Sequence, residues 1–392
     1  MREATSISSP SPDSKDSKFV AMVAGEASGD LHGANLVKAI RHLRPDISFA
    51  GIGGKKMEAA GVKIFVPSSD MAVVGLSEVF SRFHTITRAL SRLKTTLKKQ
   101  RPDLLILIDY PDFNLHLARK AKRLHIPVLY YISPQVWAWR EGRVRKIRRR
   151  VDRMAVILPF EEAFYRERGM AVDYVGHPLL DACPKEFDKK DIKSKLGLEG
   201  AYPVVGIVPG SRKEEVQNVL PVMVRAAEIL KERFPNIRCL LPLAETIEEE
   251  WVRSFLRNST VKVEIQKENI YEVLGVCDLV LITSGTATLE AAIMGVPMVI
   301  SYRVSPLSYW IGKRIIKVPH IGLVNLVAQD DVVPELIQDE MTFERLAEEA
   351  SSILKDDRKR TRMIAAMKKV RESLGTGGAS VRAARIALQM MR

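Results

Sequence analysis

A wholly apolar run, "LLILI" over 104–108, ends in Asp109 and continues as "YPDFN", which adds Asp112 and Asn114. A carboxylate at the tip of a buried strand stands where open parallel sheets bind ligands, and burial can tune it for general-base work. Asp112 and Asn114 have a plainer reading as caps of the helix that follows. A second carboxylate, Glu26, lies in "VAGEASGDLHGANLVKAI" (23–40). Here an apolar strand gives way to a small loop with Ser28, Gly29 and Asp30, and then to a helix carrying Leu31, Leu36 and Ile40 on one face. The junction offers backbone N–H groups to an anion. Yet it carries its own negative charge and does not read GxGxxG.

The second half carries chemistry of the opposite sign. In "GIVPGSRKEEV" (206–216), Gly210 and Ser211 form a turn at a helix start, with Arg212 and Lys213 beside it. That combination suits a phosphate or diphosphate; a serine cap with solvated charges is the plainer alternative. In "CDLVLITSGTATLEAAIMGVPMVISY" (277–302), a strand delivers Ser284, Gly285 and Thr286 to a helix start, with Glu290 one turn in. The N–H groups and hydroxyls at 284–286 suit a pyrophosphate, and Glu290 suits ribose hydroxyls; a generic strand-to-helix turn is the alternative.

Strands alternating with helices must position these loops, which means parallel sheet. The 392-residue chain is long enough for two or three cores, and 46% hydrophobic residues fits a globular protein. Strand-like runs occupy the first half up to "VDYVG". A charged stretch near 185 then reads as a linker with one short helix, and the alternation restarts at "PVVGIVPG". From about 341 onward only helices are expected. The expected divisions are a disordered tail (1–18), a first Rossmann-like domain (19–184), a second (185–365) and C-terminal helices (366–392) packing back on the first. Two such sheets facing each other make one cleft.

The net charge of +14 implies an anionic partner. Residues 140–153 hold eight Arg or Lys against two acidic residues. They follow Trp137 and Trp139 and read as one basic helix docked through Val144, Ile147 and Val151. Anionic lipid and nucleic acid are the sharper readings of that surface, and no nucleic-acid signature accompanies it. Residues 71–83 offer Met71, Val73, Val74, Leu76, Val79, Phe80 and Phe83, a core helix or an acyl- and membrane-facing patch. Cys183, Cys239 and Cys277 are scattered and read as buried thiols. The histidines show no HExxH-like metal spacing, and no window holds the apolar run that a membrane span requires.

Taken together, "VAGEASGD", "IDYPDFN", "SPQVWAWR", "LPFE", "GHPL", "PGSR", "SGTATLE" and "NLVAQDDVVPELIQ" resemble the lipid-A-disaccharide synthases, glycosyltransferases of the two-domain GT-B fold. The segments occur in family order from about residue 19 to 340. The resemblance implies transfer from UDP-2,3-diacylglucosamine to 2,3-diacylglucosamine 1-phosphate (lipid X), with inversion and release of UDP, and with no metal or other cofactor. It implies Asp109 as the base and Arg212 as the group that offsets charge on the leaving diphosphate. Gly210, Ser211, Ser284, Gly285, Thr286, Glu290 and Asn325 would hold the donor. Glu26, Ser28, Asp112 and Asn114 would face the acceptor, whose hydroxyls can donate to a carboxylate. It also implies a cytoplasmic enzyme, peripheral on the inner face of the inner membrane through 71–83 and 140–153, with no nucleic-acid partner; a homodimer is one assembly it allows. Two other classes are weighed against it. A hydrolysing UDP-sugar epimerase on the same fold would differ at "PDFN" and "VWAWR". A basic nucleic-acid-binding protein would not bind UDP.

Overall fold

The computed structural model describes residues 18–71, 76–184, 187–267 and 269–391, with side chains for all of these except Ala27 and residues 76–84. Residues 1–17 of the expected tail lie outside the described residues.

The first half contains β1 (Phe19–Ala24), α1 (Ala27–Leu43), β2 (Ser48–Gly53), α2 (Lys55–Ala59), β3 (Val62–Pro67), α3 (Leu76–Gln100), β4 (Leu104–Ile108) and α4 (Pro111–Arg123). It continues through β5 (Val128–Tyr131), α5 (Val136–Trp139), α6 (Val144–Arg148), β6 (Arg153–Val156), α7 (Pro159–Glu167), β7 (Asp173–Tyr174) and α8 (Leu179–Ala182). The second half contains α9 (Lys189–Lys195), β8 (Val204–Val208), α10 (Lys213–Arg233), β9 (Arg238–Pro242), α11 (Glu249–Leu256), β10 (Val263–Gln266), α12 (Ile270–Val276), β11 (Leu279–Thr283) and α13 (Thr286–Ile293). It closes with β12 (Met298–Tyr302), α14 (Pro306–Ile315), α15 (Leu323–Ala328), β13 (Glu335–Ile337), α16 (Phe343–Lys355), α17 (Asp357–Ser373) and α18 (Ala379–Met390).

All the paired strands are parallel. They form a seven-stranded sheet ordered β3-β2-β1-β4-β5-β6-β7 and a six-stranded sheet ordered β10-β9-β8-β11-β12-β13. The strands read as continuous apolar runs because helices cover both faces of each sheet: β1, β4, β8 and β11 are buried almost throughout. Both strand orders reverse once, between β1 and β4 and between β8 and β11. Loops diverge to opposite faces at such a switch point and leave a crevice at the carboxyl ends of the strands.

The chain returns to its first half at the end. Residue 366 lies within the continuous helix α17, and the crossing back follows it. Arg382 of α18 donates to the carbonyl of Val175, Tyr174 to that of Ser373, and Arg153 to Gln389 at 2.9 Å. Buried Ala379, Ala383, Ala384 and Ala387 give α18 a small-residue face that allows close packing.

Three local expectations are corrected. The basic segment 140–153 is not one helix but a 3-10 turn, the five-residue α6 and an entry into β6; Val144, Ile147 and Val151 are nonetheless buried as the stripe required. Met71, read as part of a core helix or of a membrane-facing patch, is buried in the core of the first half, so the patch reading fails at this position, and its carbonyl accepts from the Tyr110 hydroxyl at 3.1 Å. The remaining side chains of 71–83 lie outside the described residues. The three-residue β13 is an additional strand, too short for its pattern to register in the sequence.

Candidate active site

Asp109 follows β4 by one residue and Glu26 follows β1 by two; these strands are neighbours, with Ala24 in register with Ile108. The two loops therefore rise side by side at the switch point of the first sheet. Asp109 and Tyr110 both adopt left-handed backbone, φ 43° and 46°, a conformation that side chains other than glycine's adopt at a cost and that concentrates at functional sites. The surrounding structure holds the strain in place. Asn114 donates its amide to the carbonyls of Asp109 at 2.6 Å and Ile108 at 3.2 Å, and the Tyr130 hydroxyl also donates to the Asp109 carbonyl. The Tyr110 ring lies on Gly25, where an added Cβ would come within 2.5 Å of it. Glycine is thus required there by close approach, and the ring keys one loop to the other.

Burial, with the nearby Glu26 charge adding to it, pushes the Asp109 carboxyl up to about 6, while the Arg212 guanidinium pulls the other way. Glu26 caps α1 with extended backbone, but its side chain turns away from the helix. It accepts from Arg212 Nη2 at 3.1 Å, across the divide between the two halves. Arg212 is positioned by the turn at its own end. Gly210 (φ 110°) leaves room for the Glu215 carboxylate, which accepts from the N–H groups of Ser211 and Arg212 and from Arg212 Nη1 at 3.0 Å. In the sequence Glu215 is marked only as an acidic residue three places after a helix start. Carboxylate, bridging carboxylate and guanidinium thus meet between the two sheets.

The second switch point carries the remaining loop. Ser284 donates to the Ile321 carbonyl at 2.9 Å, and Gly285 caps α13 without a side-chain acceptor; in the first turn the Thr288 N–H donates to the Gly285 carbonyl at 3.1 Å. Thr286 is exposed at that end. Glu290 is half-buried and accepts from the Tyr271 hydroxyl at 3.1 Å; burial raises its pKa.

Several expected contacts fall elsewhere. Asn114 is wholly buried and works on the backbone of the Asp109 turn rather than facing an acceptor. Asn325, expected at the donor, is wholly buried too: it donates to Glu335 and Val333, accepts from Val332 and Val333, and so ties α15 to the approach of β13. Glu335 in turn accepts from the N–H groups of Ile321 and Gly322, fixing the loop that Ser284 touches. Asp30, read as starting α1, instead caps α2 through the N–H groups of Gly54, Lys56 and Met57. Ser28 is exposed in the first turn of α1. Asp112 is exposed and ion-paired with Arg143, and more distantly with Arg140 at 3.9 Å.

Beyond the cleft, Glu161 of "LPFE" is buried. It accepts from Trp137 Nε1 at 3.1 Å and from the N–H groups of Ile157 and Leu158, and burial pushes it up to about 7. The bonds explain why "VWAWR" and "LPFE" occur together: one anchors the other.

A family model described as lipid-A-disaccharide synthetase matches residues 20–389. The lipid-A-disaccharide synthase of Geobacter metallireducens is 51% identical over 95% of this chain and 97% of its own length. That of Geobacter sulfurreducens is 49% identical over the same shares. Among solved structures, UDP-GlcNAc 2-epimerase from Neisseria meningitidis bound to UDP-GlcNAc superposes with a TM-score of 0.66 at 14% identity, over 95% of this chain and all of that one. Acinetobacter baumannii MurG gives 0.58 at 14% identity, over 95% and 99%. The structural matches establish the GT-B arrangement of two facing α/β sheets; the relatives establish the enzyme class. On the strength of that near-complete and close sequence agreement, the chain belongs to the lipid-A-disaccharide synthase family of glycosyltransferases.

Proposed function

We propose that this chain condenses UDP-2,3-diacylglucosamine with 2,3-diacylglucosamine 1-phosphate to give the β-1′,6-linked disaccharide 1-phosphate and UDP, by a single displacement with inversion. The observation that carries the reading is the meeting of Asp109, Glu26 and Arg212 between the two halves. Asp109 takes the proton of the acceptor 6-hydroxyl. The oxygen forms a bond to the donor's anomeric carbon as the bond to the diphosphate breaks, and UDP leaves with the electron pair. Arg212 offsets the charge that develops on it. A base with a pKa of about 6 is ionised at neutral pH yet more basic than an ordinary carboxylate. One carboxylate suffices, because a single displacement forms no glycosyl-enzyme intermediate.

The 284–286 loop and the open start of α13 receive the nucleotide, with Glu290 toward the ribose. Glu26 holds Arg212 and, by its charge, keeps Asp109 basic. No helix among the described residues is long and apolar enough to cross a membrane. On this reading the lipid substrates bring the enzyme to the inner face of the inner membrane, with the cations of 140–153 as the charge that attracts it there.

The test is UDP release with the two lipid sugars and mass spectrometry of the product. Asp109→Asn should abolish most turnover while UDP still binds. Release of free sugar without a disaccharide would instead favour hydrolysis or epimerisation on the same fold.

A further inference from the structure

Helix α14 is built as though for a core yet has none over it. Leu307, Trp310, Ile311 and Ile315 recur at the spacing that places them along one face. In a folded protein that stripe is normally covered; here no residue of α14 is buried. Leu307 is 64% exposed, Trp310 58%, and Ile316, just past the helix, 45%. Apolar surface gathered in this way marks an interaction site.

The charge around the stripe indicates what covers it. From 291 to 329 the sequence contains no Asp or Glu, whereas Lys313, Arg314 and Lys317 cluster in and after the last turn. The Arg314 guanidinium lies 3.5 Å from the centre of the Trp310 ring, a pairing that keeps a cation at the depth of an interfacial tryptophan. Lys317 pairs with Glu141 of the first half at 3.7 Å, so Lys313 and Arg314 supply the cationic end; an apolar face flanked in this way matches an anionic bilayer surface.

The segment carrying the stripe also reaches the first half. The Lys317 N–H donates to the Ala138 carbonyl at 2.9 Å, which joins the end of this segment to the first half beside Trp139. Trp139 is 38% exposed and stacked by Arg140 at 4.0 Å. The segment that follows the stripe therefore reaches the first half beside the exposed Trp139.

We infer that α14 is a second membrane-docking element, lying in the headgroup region of an anionic bilayer through Leu307, Trp310, Ile311 and Ile315. It belongs to the second half of the chain. The inference does not depend on which sugars react, and its test uses no substrate.

The full-length chain is titrated with vesicles of phosphatidylglycerol and phosphatidylcholine, and of phosphatidylcholine alone, at low and high salt. Binding should favour the anionic vesicles and persist in part at high salt. Brominated acyl chains should quench tryptophan emission in the wild type and quench it clearly less in Trp310→Phe. The triple variant Leu307→Ser, Ile311→Ser, Ile315→Ser should bind anionic vesicles at least about tenfold more weakly, because three apolar side chains leave the interface. Its melting temperature should equal the wild-type value, since these side chains are exposed. Unchanged vesicle binding or unchanged quenching would overturn the inference. A large fall in melting temperature would show an ordinary packed face and overturn it as well. So would a wild-type oligomer, seen by sedimentation, that the triple variant dissociates while vesicle binding stays the same; the face would then belong to a second copy.

Discussion

Glu26 and Arg212 are 186 residues apart in sequence and 3.1 Å apart in space, joining the β1–α1 loop of one sheet to the start of α10 on the other. Both side chains are partly solvated, so the pair by itself adds little to stability. Its consequence is positional. It sets a guanidinium and a carboxylate beside Asp109, whose proton affinity responds to both.

Asp109→Asn tests the base. Turnover should fall about a hundred- to ten-thousand-fold with UDP affinity nearly unchanged. In the wild type, activity at limiting substrate should rise with pH through about 6 and then level, because the ionised form is the active one. A profile with no break near 6, or a variant with wild-type turnover, would move the role to another group.

The same variant should be more stable at neutral pH. The folded-state value of about 6 lies above the ordinary 3.8, so the folded protein binds this proton more tightly than the unfolded chain. Above pH 6 the buried charge is a penalty of about 3 kcal/mol, and it fades as pH falls through 6 toward the ordinary value. Thermal melting of Asp109→Asn should exceed the wild type at pH 7.5, and the two curves should converge as pH falls. A constant gap across pH would contradict the assignment.

Arg212→Ala and Glu290→Ala address the nucleotide. Each should weaken UDP binding roughly tenfold or more by calorimetry, the first through the phosphates and the second through the ribose, since charged hydrogen-bonding groups are lost. Retained affinity in both would place the nucleotide elsewhere.

Gly25→Ala examines the keyed loops. The added methyl meets the Tyr110 ring at 2.5 Å, so we expect a loss of about 1–3 kcal/mol of stability. Turnover should fall further than UDP affinity, because the displaced ring adjoins Asp109. Equal loss of both would mean that the damage is global.

Glu161→Gln separates anchoring from chemistry. This carboxylate accepts from three N–H donors and has the Ser133 hydroxyl beside it; an amide must turn its own donors toward one of them. Because the folded-state value of about 7 lies above the ordinary 4.5, the variant also relieves a buried charge. The drop in unfolding free energy of about 1–3 kcal/mol should therefore be largest near pH 5 and shrink as pH rises through 7, visible in denaturant titration, with UDP affinity preserved. Unaltered stability would mean that Trp137 is anchored by packing alone.

Strand and helix periodicity is a local property, and the alternation of apolar runs with amphipathic segments was enough to specify two parallel α/β halves. It also placed Asp109 at the tip of a buried strand and Arg212 at a helix start, because loop residues at strand ends follow directly from where the apolar runs stop. Partnership is not local. That Glu26 turns to Arg212, that Asn114 and Asn325 are consumed by backbone groups inside the fold, and that Asp30 caps α2 rather than its own helix were decided only when the elements packed. An asparagine on a pocket wall and an asparagine beneath it are identical in sequence; only the surrounding chain determines which carbonyls it must satisfy. The stripe of α14 makes the same point in reverse. Its periodicity is that of a core helix, and only tertiary structure shows that, among the described residues, none of its own is buried.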